Sequence, residues 1–219
     1  MGTLTGTNLA ARARDILHDT TSGGVRWLDA ELLNNINDAQ RMIVLLKPNS
    51  NPVTSGETMV AGSKQTIPTG GIQLLDVIRN VSGNAIRRVD RDILDSENPG
   101  WHEATASNTA EHFIFSEDQP DVFYLYPQQT ATPGNVEIVY SAAPTDLGSL
   151  ASTIALNDIY ANVIIDFLLY RCYLKDTEYA GNQQRAQQHY VAFNEALGIK
   201  VQAELSFSPN QNPPPIRVG

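Results

Sequence analysis

Apolar positions along this chain change their period twice. Leu9, Ala13, Ile16 and Leu17 recur at helical spacing, which predicts a first helix from about Asn8 to His18 with Thr7 as its cap. Asp19–Gly24 reads as the turn that ends it. Leu32, Ile36, Ala39, Ile43 and Leu46 then form a single stripe at steps of four and three. Asp29 is placed to cap this second helix, with Leu28 and Leu33 as a hydrophobic staple. Lys47 in the last turn suits the helix dipole, and Pro48 forbids continuation, so Asn49–Gly56 reads as a loop.

From Glu57 to Tyr140 the period is two. Lys64–Pro68, Ile72–Asn80, Ala85–Val89, His112–Phe115, Val122–Tyr126 and Asn135–Ser141 read as strands. Ser82-Gly83-Asn84 makes a tight turn, Tyr126-Pro127 closes one strand, and Thr132-Pro133-Gly134 leads into the next. A single helical turn is predicted at Arg91–Asp95. Short strands with regular turn signals suggest an antiparallel sandwich or barrel.

Helical spacing then returns. Ile159, Val163, Phe167, Tyr170 and Leu174 share one face of a third helix that starts near Asn157 or Asp158. Tyr160, Ile164, Leu168 and Cys172 form the adjacent face, so this helix is buried on several sides. Gly181 marks a break. A fourth helix follows, with Ala186, Tyr190, Phe193 and Leu197 at bundle spacing and Gly198 as its stop. The first two helices alone cannot bury the third. The economical fold class is therefore α+β, an antiparallel helical bundle built from both chain ends (1–55 and 145–200). An antiparallel β-sandwich or barrel-like domain is inserted at 56–144, and an extended proline-rich tail occupies 201–219. The stiffest part of that tail, Ser206–Gly219, has a reach of roughly 40 Å in polyproline conformation.

Charge narrows the partners. Fifteen basic residues against twenty-four acidic ones give a net charge of -9, the opposite of a free nucleic-acid-binding protein. Sliding passage of a polyanion past an acidic wall is compatible with it; adhesion to DNA or to anionic membranes is not. Met1–Ala13 has no apolar core of signal-peptide length, and no run reaches the ~18 apolar residues of a membrane span.

Candidate chemistry is sparse. The single cysteine, Cys172, allows no internal disulfide and lies mid-helix among apolar neighbours, where a buried, inert thiol is expected. Asp90–Glu97 gathers four carboxylates but lacks the glycine and the ligand alternation of a calcium loop, so a solvated helical turn is expected there. Val60–Lys64 lacks the glycine spacing of a phosphate loop. His18, His102, His112 and His189 never pair at helical spacing, and no Gly-x-Ser-x-Gly elbow exists. Trp101, Phe113, Phe115, Phe123, Tyr124 and Tyr126 concentrate in the strand region. They can fill a core, line a subunit interface, or stack on a sugar or base.

Four segments carry a family resemblance: Arg26–Leu33 leading into Asn37–Arg41; Ala61–Pro68; Phe123–Pro127 followed by Val136–Pro144; and Leu169–Asp176 continuing to Ala186 and Phe193. In this order and spacing, from about Asn8 to Ile199, the chain resembles the phage adaptor proteins, head-to-tail connectors that include relatives of tail tubular protein A. The resemblance implies a helical bundle with a β-rich insertion, a dodecameric ring, and a channel for phage DNA. It also implies portal protein on one side and tail or nozzle proteins on the other, in the virion, after assembly in the host cytoplasm. It brings no catalytic residues, no cofactor and no metal, and it assigns no target to the tail after Ser206. From position and expected exposure, Arg12, Arg14, Arg26 and Arg41 on the helices and Ile216 and Arg217 in the tail are candidate portal or ring contacts. Two rivals are a carbohydrate-binding tail module using the sheet aromatics, with Trp101 quenched by ligand, and a hydrolase with a histidine–carboxylate site.

Overall fold

The computed structural model describes residues 2–20, 26–176 and 178–207. Ile216, Arg217 and the rest of the proline-rich tail lie outside the described residues, as does most of the turn expected at Asp19–Gly24. Among the described residues the fold is α+β, with five α-helices and two sheets. The chain divides into two units, one of Met1–Lys47 with Pro144–Gly219 and one of Pro48–Ala143. No described helix is long and apolar enough to cross a membrane.

In the first unit, α1 spans Gly6–Leu17, α2 Asp29–Leu46, α4 Ala161–Lys175 and α5 Ala180–Phe207. The cap of α1 is Thr5 rather than Thr7. Thr5 Oγ1 accepts from Asn8 N–H at 3.3 Å while Asn8 Oδ1 accepts from Thr5 N–H at 3.0 Å, a reciprocal box that Thr7 has no partner to form. The Thr7 hydroxyl instead donates to Leu150 O at 3.0 Å. Asp29 is the first residue of α2 and not its cap; Glu31 Oε2 reaches back to accept from Leu28 N–H at 3.3 Å. Leu28 is 58% exposed, so it staples nothing. The stripe Leu32, Ile36, Ala39 and Ile43 is fully buried, and Leu46 falls outside it.

A 3-10 turn at Asp158–Tyr160, capped by Asn157, introduces α4. Tyr160, Ile164, Leu168 and Cys172 form the dry side of this segment, while Ile159 and Leu174 lie in solvent. The two glycines do not act as breakers. Gly181 sits in the first turn of α5 and Gly198 inside the helix, which continues through Phe207 and takes in residues read from the sequence as tail. The break comes earlier, where Asn182 Nδ2 donates to Asp176 O at 3.1 Å and closes the turn. Glycine permits a helix end but does not impose one; burying Phe193 and Leu197 offsets its cost of about 1 kcal/mol. One core unites the four helices, with Leu9 and Ala13 of α1, Ile36 and Ile43 of α2, Ile164 and Leu168 of α4, and Phe193 of α5.

In the second unit, β1 (Pro52–Thr58), β7 (Asn135–Ala142) and β3 (Gly71–Asn80) form one antiparallel sheet in the order β1-β7-β3. The other sheet has the order β2-β6-β5-β4, from Gly62–Thr66, Val122–Gln129, His112–Phe115 and Arg87–Arg88. Three corrections arise here. β1 occupies part of the expected loop, because pairing with β7 from Pro52 to Thr58 defines it although none of its residues is buried. β6 runs past Pro127 to Gln129 instead of ending there. β4 pairs with β5 in parallel, and neither sheet closes, so the antiparallel barrel is replaced by two open sheets. Leu74 and Val77 of β3 and Val136 and Ile138 of β7 meet Phe113, Phe123 and Leu125 from the other sheet in one core. The short α3, Arg91–Glu97, covers a smaller cluster of Leu94, Trp101 and Ile114.

Candidate functional site

The candidate cations of the helical unit are placed by carboxylates from distant segments. Arg14 Nη2 lies 2.5 Å from Asp29 Oδ1 and donates to Trp27 O at 3.1 Å. Arg26 pairs with Asp176, and Arg41 with Asp146 and, at 3.0 Å, with Asp38. Lys175 Nζ and Arg171 add bonds to Glu31 at 2.6 Å and to Asp38 at 3.4 Å. Arg26, Arg41, Lys175 and Arg171 thus each bind the two chain segments of the helical unit, Met1–Lys47 and Pro144–Gly219, together. Such half-exposed pairs stabilise by about 0–1 kcal/mol each, so they align the segments more than they hold them. The Lys175 ammonium, with the Leu28 N–H, holds the Glu31 carboxyl below its ordinary value. Arg12 is exposed on α1. Ile216 and Arg217 lie outside the described residues.

The same unit leaves large apolar side chains in solvent. Leu45, at 71% exposed, and Leu46 end α2, and Ile159, at 64%, precedes α4. The Lys47 ammonium lies 5.7 Å from the Tyr160 ring, which brings these two segments together. Leu28 and Leu174 flank the Glu31–Lys175 pair. Cys172 lies beneath, 1% exposed, its thiol pushed up to about 12 by burial and then by the Glu31 charge.

In the β-rich unit the aromatic residues divide. Phe113 and Phe123 are core, and Phe115, Tyr124 and Tyr126 are half-buried. Trp101 is only 1% exposed, and its Nε1–H donates to Asp95 Oδ1 at 2.7 Å. The His102 ring stacks on the indole at 3.6 Å between centroids, and Tyr124 meets both rings edge-on. An indole so enclosed presents no face on which a sugar ring can stack. Asp95 is held below its ordinary value, first by that indole N–H and then by Arg91. Ser63 Oγ lies 2.8 Å from His102 Nδ1. Asp95 is engaged by Trp101 and Arg91, and among the described residues no carboxylate hydrogen-bonds His102 to orient it as in a Ser-His-Asp triad.

Arg91, Trp101, His102 and Tyr124 border a cleft of about 310 Å3. It is lined by Asp90, Arg91 and Asp92 at the start of α3, by Ser116 and Gln119 of the β5–β6 loop, and by Ile114, Phe115 and Tyr124 of the two strands. Sequence reading found the aromatic enrichment but not this juxtaposition. Ser63 and His102 stand 39 residues apart, and no local pattern connects them.

A family model described as SU10 adaptor protein matches residues 4–217, while no curated protein matches the chain. The match takes in both chain ends and the inserted β-rich unit together. Its span and the four ordered segments agree, and the chain belongs to the SU10 adaptor protein family of phage adaptors.

Proposed function

We propose that this chain is a non-enzymatic structural adaptor at the head–tail interface of a tailed phage virion. In this reading a dodecameric ring of copies stands between portal and tail or nozzle proteins around the DNA channel. The helices of both chain ends act as one bundle carrying the ring and portal contacts, and the β-rich insertion faces the tail or the outer wall as a sandwich-like lobe. Assembly takes place in the host cytoplasm. The single observation that carries the reading is the family match over residues 4–217.

The physical features support it. A ring needs heterologous contacts that close, and Leu45, Leu46 and Ile159 supply apolar surface on the helical unit for a neighbouring copy. α5, with 28 residues, is roughly 42 Å long at ~1.5 Å per residue, long enough to reach beyond the helices it packs on. Arg12, Arg14, Arg26 and Arg41 of the helical unit and Ile216 and Arg217 of the tail are the proposed portal or ring contacts. The net charge of -9 suits a wall past which DNA slides without adhering. Native mass measurement with and without purified portal protein tests the proposal. Portal-dependent formation of a ring of the 24.0 kDa chain is expected; a species that stays monomeric with portal present overturns it.

A further inference from the structure

We infer that the cleft between α3 and the β5–β6 loop is a docking site for a basic segment of a partner protein, taking one arginine or lysine side chain over Tyr124 and between Asp90 and Asp92. The inference stands on this cleft and is independent of the adaptor reading.

Charge is distributed unevenly between the two units. Pro48–Ala143 holds five basic and twelve acidic residues, a charge of -7, against ten and twelve, or -2, in the rest of the chain. Eight of those twelve acids fall in 90–103 and 117–121, where Arg91 is the one lysine or arginine, and two of them, Asp90 and Asp92, line the cleft. Arg91 is occupied by Asp95 at 3.2 Å. Arg87 and Arg88 lie on β4 and do not line the cleft. Among the described residues the Asp90 and Asp92 side chains have no ion-pair or hydrogen-bond partner, so both carboxylates are available. Arg91 also lines the cleft, but Asp95 engages its guanidinium, which leaves the Asp90 and Asp92 carboxylates to draw a counter-charge.

The aromatic lining selects what kind of cation enters. Phe115 and Tyr124 are half-buried rings that line the cleft, and an aromatic face attracts a guanidinium or ammonium brought within about 6 Å. A guanidinium also matches two carboxylates through its fork of N–H donors. At about 310 Å3 the cleft has room for one long side chain and its apolar stem. A phosphate or nucleic acid is repelled by the same walls.

The test titrates the full chain with the peptide acetyl-Gly-Gly-Arg-Gly-Gly-amide, with lysine, citrulline and glutamate counterparts, by two-dimensional amide NMR. Arginine and lysine peptides are expected to shift the amides of Asp92, Phe115 and Tyr124. Citrulline, which keeps the shape and loses the charge, is expected to bind at least tenfold more weakly. D90N with D92N, and separately Y124L, should each weaken the arginine peptide at least tenfold, while E111Q with E178Q should not. Equal binding of citrulline, shifts confined to other surfaces, or equal losses from the E111Q/E178Q control overturn the proposal. Should Y124L fail to fold, the neutral, surface D90N/D92N pair and the citrulline arm still decide.

Discussion

Asn37 grips the backbone of Leu147 at both of its polar groups. Its Nδ2 donates to Leu147 O at 3.3 Å, and its Oδ1 accepts from Leu147 N–H at 2.9 Å, 110 residues along the chain. Both groups are buried, and Gln40, one turn on, accepts from Ala155 N–H at 2.8 Å. Asn80 does the same in the β-rich unit, where it bonds Ala110 O at 2.7 Å and Ala110 N–H at 2.9 Å. Neutral amides suit this task, since each offers a donor and an acceptor without the desolvation cost of a charge.

Removing the Asn37 amide leaves a buried N–H and C=O of Leu147 without partners. N37A is expected to lose about 2–4 kcal/mol, two unsatisfied groups at about 1–3 kcal/mol each less relaxation. Urea denaturation of the full chain measures it. A loss under 0.5 kcal/mol would show that water replaces the amide.

Glycine does opposite work at two positions. A Cβ on Gly134 would lie 2.0 Å from Asn108 O, a backbone atom that cannot swing away, whereas nothing lies within 4 Å of one on Gly198. G134A is expected to lower the melting temperature, and G198A to raise stability by up to ~1 kcal/mol through helix propensity. Thermal unfolding of both variants checks the contrast.

Acid should loosen the amino-terminal segment first. Asp158 accepts from Thr3 Oγ1 at 2.5 Å, Thr3 N–H at 2.8 Å and Leu4 N–H at 3.0 Å, and these bonds hold its pKa below the ordinary value. A depressed folded pKa contributes stability above the unfolded value of 3.8 and loses it as pH falls through the folded one. Amide exchange at Thr3 and Leu4 should therefore accelerate selectively below about pH 4, and D158A, which removes the Oδ1 acceptor of both amides, should show that fast exchange already at pH 7. Equal protection of both proteins at pH 7 would refute the assignment.

Cys172 should be silent toward thiol reagents in the native protein. With its pKa raised from 9.0 to about 12, the folded thiol stays protonated across the neutral range. The raised value means stability intact below pH 9 and falling from there toward 12, where only the unfolded chain ionises. Labelling by a disulfide reagent should follow global unfolding, with the same denaturant midpoint; rapid labelling at pH 7.5 without denaturant contradicts it.

Local pattern determined much of this protein. The stripe of α2 and the broad dry surface of α4 follow from spacing alone, and β3, β5, β6 and β7 were legible from alternation and turns. Those signals work because burial of one face repeats with the period of the element. Tertiary structure decided the rest. β1 has no buried face to write a pattern, so pairing with β7 is what makes it a strand. Thr5 displaces Thr7 as a cap because Leu150 claims the Thr7 hydroxyl. Asn37, Asn80 and the Asp95–Trp101–His102 cluster depend on partners that meet only once the chain has folded. Periodicity reports which side of an element is dry, whereas a hydrogen bond or cleft between distant segments needs the relative placement of two backbones, which no local repeat encodes.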